Sequence, residues 1–165
     1  MSDLGEIRRC YSLRYERRSK HSPERLWRAI TDPSEVSQWM SYPARIELRV
    51  GGDYFVDFSR TDQGSLDGVI VRIEPGQKLA YVWGLSVIEW RLAPDGDGCR
   101  YTMIHHGQAP REIPDEEGLA LGWHLFLEDF AAHLHGEAPS AKFDLGTDLA
   151  RAYRKRLDEV LGSGA

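Results

Sequence analysis

Six histidines, two cysteines and seven tyrosines are the groups in this sequence best suited to moving protons, holding a metal or attacking a substrate. The most suggestive arrangement is Tyr101-Thr102-Met103-Ile104-His105-His106, which reads as a strand. Alternation then points Tyr101, Met103 and His105 one way and His106 the other, so the adjacent histidines do not form a chelating pair. An imidazole with an unperturbed pKa of about 6.5 suits proton transfer or ligand hydrogen bonding, and His105 is expected to face inward. The competing role for His105 is that of a hydrogen-bonded core residue.

His124 and Glu128 stand four apart in a helical segment, but two ligands fall short of the three or four that a zinc site needs. His133 and His135 supply no better geometry. Cys10 and Cys99 have neither CxxC spacing nor a partnering histidine motif, which argues against a metal knuckle or disulfide scaffold and leaves both as reduced strand residues. There is no G-x-S-x-G elbow, and Gly51-Gly52 precedes a strand rather than a helix, so it is turn chemistry and not a phosphate cradle. Glu89 and Arg91 alternate away from the apolar residues of their run and read as an exposed charge ladder. The sequence therefore calls for no cofactor and no metal, and it assembles no evident catalytic apparatus.

These residues need elements to place them. A chain of 165 residues suits one domain with a sizeable core. A net charge of −5, a pI near 5.7 and scattered lysines and arginines leave no footprint for nucleic acid. No run approaches signal-peptide length or the roughly 18–20 apolar residues of a membrane span, so a cytoplasmic protein without a membrane partner is expected.

Alternation of Tyr11, Leu13 and Tyr15 predicts a first strand over 10–18. Ser22-Pro23-Glu24-Arg25 starts a helix that buries Leu26, Trp27 and Ile30. Asp32-Pro33-Ser34-Glu35 starts a second with Val36, Trp39 and Met40 inward. Six strands follow over 45–50, 53–59, 66–75, 78–84, 86–94 and 99–107, with connections short enough to demand antiparallel neighbours.

Residues 108–115 form a loop with two prolines, leading to a long amphipathic helix over 116–136. Its apolar stripe is Leu119, Gly122, Trp123, Phe126, Leu127, Phe130 and Leu134, with His124, Glu128, Asp129 and His135 mostly off it. Gly136 ends this helix, and Thr147 caps a further one carrying Leu149, Tyr153, Leu157, Val160 and Leu161. That apolar side is expected to cover the outer face of the sheet or to form a dimer interface.

Several segments together carry a family resemblance. They are SPERLWRAITDPSEVSQW (22–39), the Gly51-Gly52 turn before an alternating strand, and G-x-x-x-x-I-x-P-x-x-x-L-x-Y-x-W over 68–83. IEWRL (88–92), the strand ending His105-His106-Gly107 and the Gly122-Trp123 pair complete the set. In order and spacing, over about residues 10–136, the chain resembles the family named for the activator of the heat-shock-protein-90 ATPase, within the START-like superfamily (SRPBCC, birch-pollen-allergen-like). The resemblance implies an α+β helix-grip fold. A seven-stranded antiparallel sheet wraps on a long C-terminal helix, with two short helices between the first two strands and an extra helix at the end. Residues 1–140 would form the START-like domain and 141–165 a helical extension of it, past the family's usual end.

Superfamily ligands lie between the concave side of the sheet and the last helix. Taking the larger apolar set of each strand as concave gives Tyr54, Val56 and Phe58, then Ile88, Trp90 and Leu92, then Tyr101, Met103 and His105. Trp123, Phe126 and Phe130 oppose them, with Gly122 allowing close approach. The expected ligand-binding set is Tyr54, Val56, Phe58, Trp90, Tyr101, Met103, His105, Trp123, Phe126 and Phe130. These rings could line a cavity or fill it, since each buries about 150–250 Å².

Three functions follow. The leading one is binding of a small hydrophobic or amphipathic ligand, oriented by His105. The second is a chaperone-ATPase activator acting through its surface. It ranks lower because the sequence has no counterpart of the N-terminal domain that makes most of the chaperone contact in eukaryotic activators. The third is a cyclase or dehydratase using His105 and Tyr101, so a non-enzymatic role is favoured. The expected partners are a small apolar ligand and, second, a chaperone, with the protein a monomer or homodimer.

Overall fold

Eleven elements make up the computed structural model, which describes residues 12–61, 64–107 and 116–162, the side chains of 116, 117 and 161 excepted. Cys10, Tyr11 and the 108–115 loop, on which expectations were placed above, lie outside the described residues. In chain order the elements are β1 (Ser12–Ser19), α1 (Pro23–Thr31), α2 (Pro33–Trp39), β2 (Ala44–Ile46), β3 (Asp53–Val56) and β4 (Leu66–Glu74). They continue as β5 (Lys78–Trp83), β6 (Ser86–Asp95), β7 (Gly98–His106), α3 (Glu116–Leu134) and α4 (Asp148–Gly162). The strands form one antiparallel sheet in the order β1-β7-β6-β5-β4-β3-β2, with α3 coming after all seven. This is the helix-grip arrangement.

The two early helices start where their capping residues dictate. Ser22 Oγ accepts from the Arg25 amide at 3.3 Å ahead of Pro23, and Asp32 Oδ1 accepts from the Ser34 amide at 2.8 Å ahead of Pro33. Asp32 also closes α1, so the helices meet without a linker. The Trp39 indole then donates to the Ala29 carbonyl at 2.9 Å and ties α2 back onto α1.

Register fixes the inner face of the sheet. His105 is opposite Leu13 on one side and Ile88 on the other, Met103 is opposite Tyr15 and Trp90, and Tyr101 is opposite Arg17 and Leu92. Gly68 pairs with Tyr54, and a Cβ at position 68 would stand 2.6 Å from the Val82 carbonyl oxygen and 2.7 Å from that of Tyr54. The missing side chain lets the flanking backbones approach β4 closely, and the Tyr54 ring stacks on Tyr81 with centroids 3.8 Å apart.

Three expectations change. The alternating run over 45–50 is mostly not strand: β2 stops at Ile46, and residues 47–52 make a wide turn held by Arg49 N to Glu47 O (2.7 Å) and Gly51 N to Ile70 O (2.8 Å). Leu48 and Val50 are therefore exposed. The run over 53–59 likewise ends as β3 at Val56, and Phe58 sits in a turn closed by Thr61.

The third change concerns α4, which packs on α3 rather than on the outer face of the sheet. By helical spacing, Leu121 and Leu125 share the side of α3 that carries His124, so α3 offers apolar surface on two sides, not one. α4 covers the second with Leu149, Ala150, Tyr153 and Leu157, while Val160 is exposed. Asp129 Oδ1, buried, accepts from the Ser140 and Ala141 amides at 2.8 and 3.0 Å and turns the chain back toward α4. No helix among the described residues is long and apolar enough to cross a membrane.

Candidate functional site

The ten residues expected between sheet and helix do share one interior. Tyr54, Val56, Phe58, Trp90, Tyr101, Met103, His105, Trp123 and Phe130 are buried, and Phe126 is half-buried. Within that interior they divide into two ends with different chemistry.

At the inner end the rings are in contact. Trp39 meets Trp90 and Phe130 at centroid distances of 6.1 and 5.2 Å, Trp90 meets Phe130 at 5.4 Å, and Tyr101 meets Phe130 at 5.5 Å, mostly edge to face. Polar atoms here are taken by the protein itself. The Tyr54 hydroxyl donates to the Ile30 carbonyl at 3.0 Å, and the Trp90 indole donates to the Tyr81 hydroxyl at 3.5 Å. Burial pushes the Tyr54 and Tyr81 hydroxyls well above the usual tyrosine range, so both stay neutral. α1 and α2 close this end, and it is filled.

The other end lies where β5 stops and the first turns of α3 pass over β7. Phe58 stacks on Trp83 at 5.9 Å, Tyr42 caps Phe58 at 4.7 Å, and Phe126 approaches Phe58 and Trp123 at 6.3 and 6.0 Å. Tyr42, Trp83 and Phe126 are only half-buried. Beside Trp83, Leu85 is 69% exposed in the turn after Gly84, whose φ of 58° suits glycine. These rings are thus covered less completely than those of the inner end.

His105 is the polar residue of this second end. Its Nδ1 accepts from the Trp123 indole at 2.9 Å, and Trp83 stands 6.3 Å from the His105 ring and 5.3 Å from the Trp123 ring. Burial first, then the neighbouring His106, lowers the His105 pKa to about 4, so the ring is neutral near pH 7. His106 points to the opposite face and bonds Glu89 at 3.0 Å, and Glu89 bonds Arg91 at 2.5 Å, as alternation predicts. Tyr101 and His105 are four residues apart on one strand, about 13 Å along it, and do not meet at one reacting atom.

The remaining candidates serve packing. His124 bonds the Tyr153 hydroxyl through Nδ1 at 2.7 Å and Glu128 through Nε2 at 3.2 Å, tying α4 to α3. His133 bonds Glu35 at 2.9 Å, and Glu35 also holds Arg25 at 2.6 Å and Arg28 at 2.8 Å, which pins α3 to both early helices. Cys99 is buried, with burial pushing its thiol up. Among the described residues no three His, Cys, Asp or Glu side chains stand together as a metal site would require. Gly122 does not mark a close approach, because a Cβ there would meet nothing within 4 Å.

Sequence reasoning missed Trp83 and Tyr42. Trp83 carried a signal, since Leu79, Tyr81 and Trp83 alternate onto one side of β5, which is the rule applied to the other strands. Tyr42 carried none, because it lies in a turn where no period applies.

The model of the family described as "Activator of Hsp90 ATPase homolog 1-like protein" matches residues 20–135, ending before α4. No curated protein matches significantly. Among solved structures, MLL2253 from Mesorhizobium loti is 28% identical with a TM-score of 0.67, over 76% of this chain and 97% of that one. CalU16 from Micromonospora echinospora is 23% identical with a TM-score of 0.66, over 93% and 88%. DynU16, from the dynemicin biosynthetic locus, is 23% identical with a TM-score of 0.64, over 79% of this chain and 49% of that one. At those two identities the likeness is one of fold.

Proposed function

This chain belongs to the activator of Hsp90 ATPase homolog 1-like family, and on that premise we propose that it is a cytoplasmic binder of a small hydrophobic or amphipathic molecule. The molecule is held between sheet and α3, with Phe58, Trp83, Trp123 and Phe126 as walls and His105 as the orienting group. The observation that supports this reading is the contrast within one interior. Rings at the inner end are fully buried, whereas Tyr42, Trp83 and Phe126 stay half-buried around a neutral histidine. Such an apolar wall with one convergent polar group is the usual composition of a small-molecule site. The placing of DynU16 in a biosynthetic locus fits a small-molecule ligand.

The test is native mass spectrometry of the purified protein for a carried molecule, followed by fluorescence titration with anilinonaphthalene sulfonate. Trp83→Ala and Phe126→Ala should each weaken binding about tenfold. Undiminished binding in both would place the site elsewhere.

The family's description supports a second reading, contact with the Hsp90 chaperone through the protein surface. Stimulation of the chaperone's ATPase by the purified protein would favour it. No stimulation at saturating protein would remove it.

A further inference from the structure

An indole nitrogen can only donate a hydrogen bond. The 2.9 Å contact from Trp123 Nε1 to His105 Nδ1 therefore uses the lone pair of Nδ1, and in the neutral ring the single proton must sit on Nε2. The partners are held from opposite sides. His105 is fixed by β7 pairing with both β1 and β6, and Trp123 by α3, which is pinned to the sheet by the Tyr15 hydroxyl donating to the Ala120 carbonyl at 2.7 Å. Trp83 packs against both rings, at 5.3 and 6.3 Å, so the triangle of Trp83, Trp123 and His105 leaves the imidazole little freedom to turn over. His106 does not share this arrangement, since it is bonded to Glu89 on the other face.

We infer that Trp123 is a positioning residue that commits His105 to donate through Nε2, so the ligand of this end presents a hydrogen-bond acceptor, such as a ketone, quinone or ether oxygen, rather than a donor. The inference rests on the ligand-binding reading above and specifies the chemistry of that same site. It makes the site selective by polarity. A donor brought to a fixed N–H leaves two unpaired hydrogens facing each other, and an unmade hydrogen bond in a buried place weakens binding more than a made one strengthens it.

The test has two arms. Histidine side-chain ¹⁵N correlation spectra of the unaltered protein should show His105 as the Nε2–H tautomer, and Trp123→Phe should shift that signature toward a tautomer mixture. An Nδ1–H tautomer in the unaltered protein overturns the inference without any variant having to fold. In the second arm the probes are three flat tricycles of similar shape: fluorenone, which only accepts, fluorene, which does neither, and carbazole, which only donates. Fluorenone should bind about fivefold more tightly than fluorene, and carbazole no more tightly than fluorene. Trp123→Phe should lower the ratio of fluorenone to fluorene affinity toward onefold, a readout that a loss of wall packing common to both probes does not move. Equal binding of the three, or a carbazole preference, overturns the inference and leaves the ligand-binding reading standing. Binding of none of them, with the expected tautomer present, counts against both.

Discussion

The two ends of the interior are built from the same kind of side chain and behave oppositely. Around Trp39, Trp90 and Phe130 every ring is fully buried, and the polar atoms of Trp39, Tyr54 and Trp90 are bonded within the protein. Around Trp83, Phe126 and Tyr42 the rings are half-buried, and among the described residues the polar group there, His105, is bonded at its acceptor nitrogen, by Trp123. The difference lies in what stands above the sheet. α1 and α2 add a second source of backbone carbonyls and apolar side chains over one end, whereas the other has α3 and the turns at Tyr42 and Phe58. Aromatic content alone therefore does not distinguish a closed end from a partly uncovered one; the coverage of the rings and the use of their polar atoms do.

The largest test of this contrast is a pair of truncations. Trp39→Ala should lower unfolding free energy by about 3–5 kcal/mol, because it empties a closed space and orphans the Ala29 carbonyl. Trp83→Ala should lower it by no more than about 2 kcal/mol, because a half-buried ring covers less apolar area. Urea denaturation reads both, and equal losses would erase the distinction between the ends.

A second test is titration. The folded-state pKa of His105, about 4, lies below its unfolded value of about 6.5, so between those pH values the unfolded chain binds the extra proton. The contribution of this group is fully present above about pH 6.5 and is lost as pH falls toward 4, amounting to about 3 kcal/mol. His105→Gln should flatten the pH dependence of urea midpoints in that window relative to the unaltered protein. An unchanged slope would mean that the open end is wetter than its geometry implies.

The smallest effect is expected where the chain passes from one end to the other. Ser41 has a φ of 63° between Met40 and Tyr42, a conformation in which a β-carbon is crowded. Ser41→Gly should raise unfolding free energy by about 0.5–1 kcal/mol without altering ligand affinity. A loss of affinity would show instead that this residue governs how Tyr42 sits over Phe58.

Most of the scaffold could be read from the chain because its signals are local. Ser22-Pro23 and Asp32-Pro33 cap their helices as written, and alternation in β6 and β7 placed Trp90, Tyr101, Met103 and His105 inward. The readings that failed depended on partners distant in sequence. The apolar alternation through Leu48 and Val50 looked like strand, yet the wide turn that holds them is set by pairing to Ile70 on β4. The stripe on α3 was read as single-sided because Leu121 and Leu125 gain a reason to be apolar only from α4, which lies beyond the next loop. Nor could alternation separate the ten inward residues into two ends. That division depends on which of them α2 covers fully, and the contacts of Trp39 with Trp90 and Phe130 are tertiary.

Because α4 is bonded to the back of α3 through Tyr153 and His124, and α3 to the early helices through His133 and Glu35, the long helix is a middle layer of three. On the binding reading proposed above, α3 would not swing aside as a cover without breaking these ties. A bound molecule would then exchange lengthwise, past the exposed turn at Leu85 and the half-buried edge of Trp83, with side-chain rotation at that threshold setting the rate.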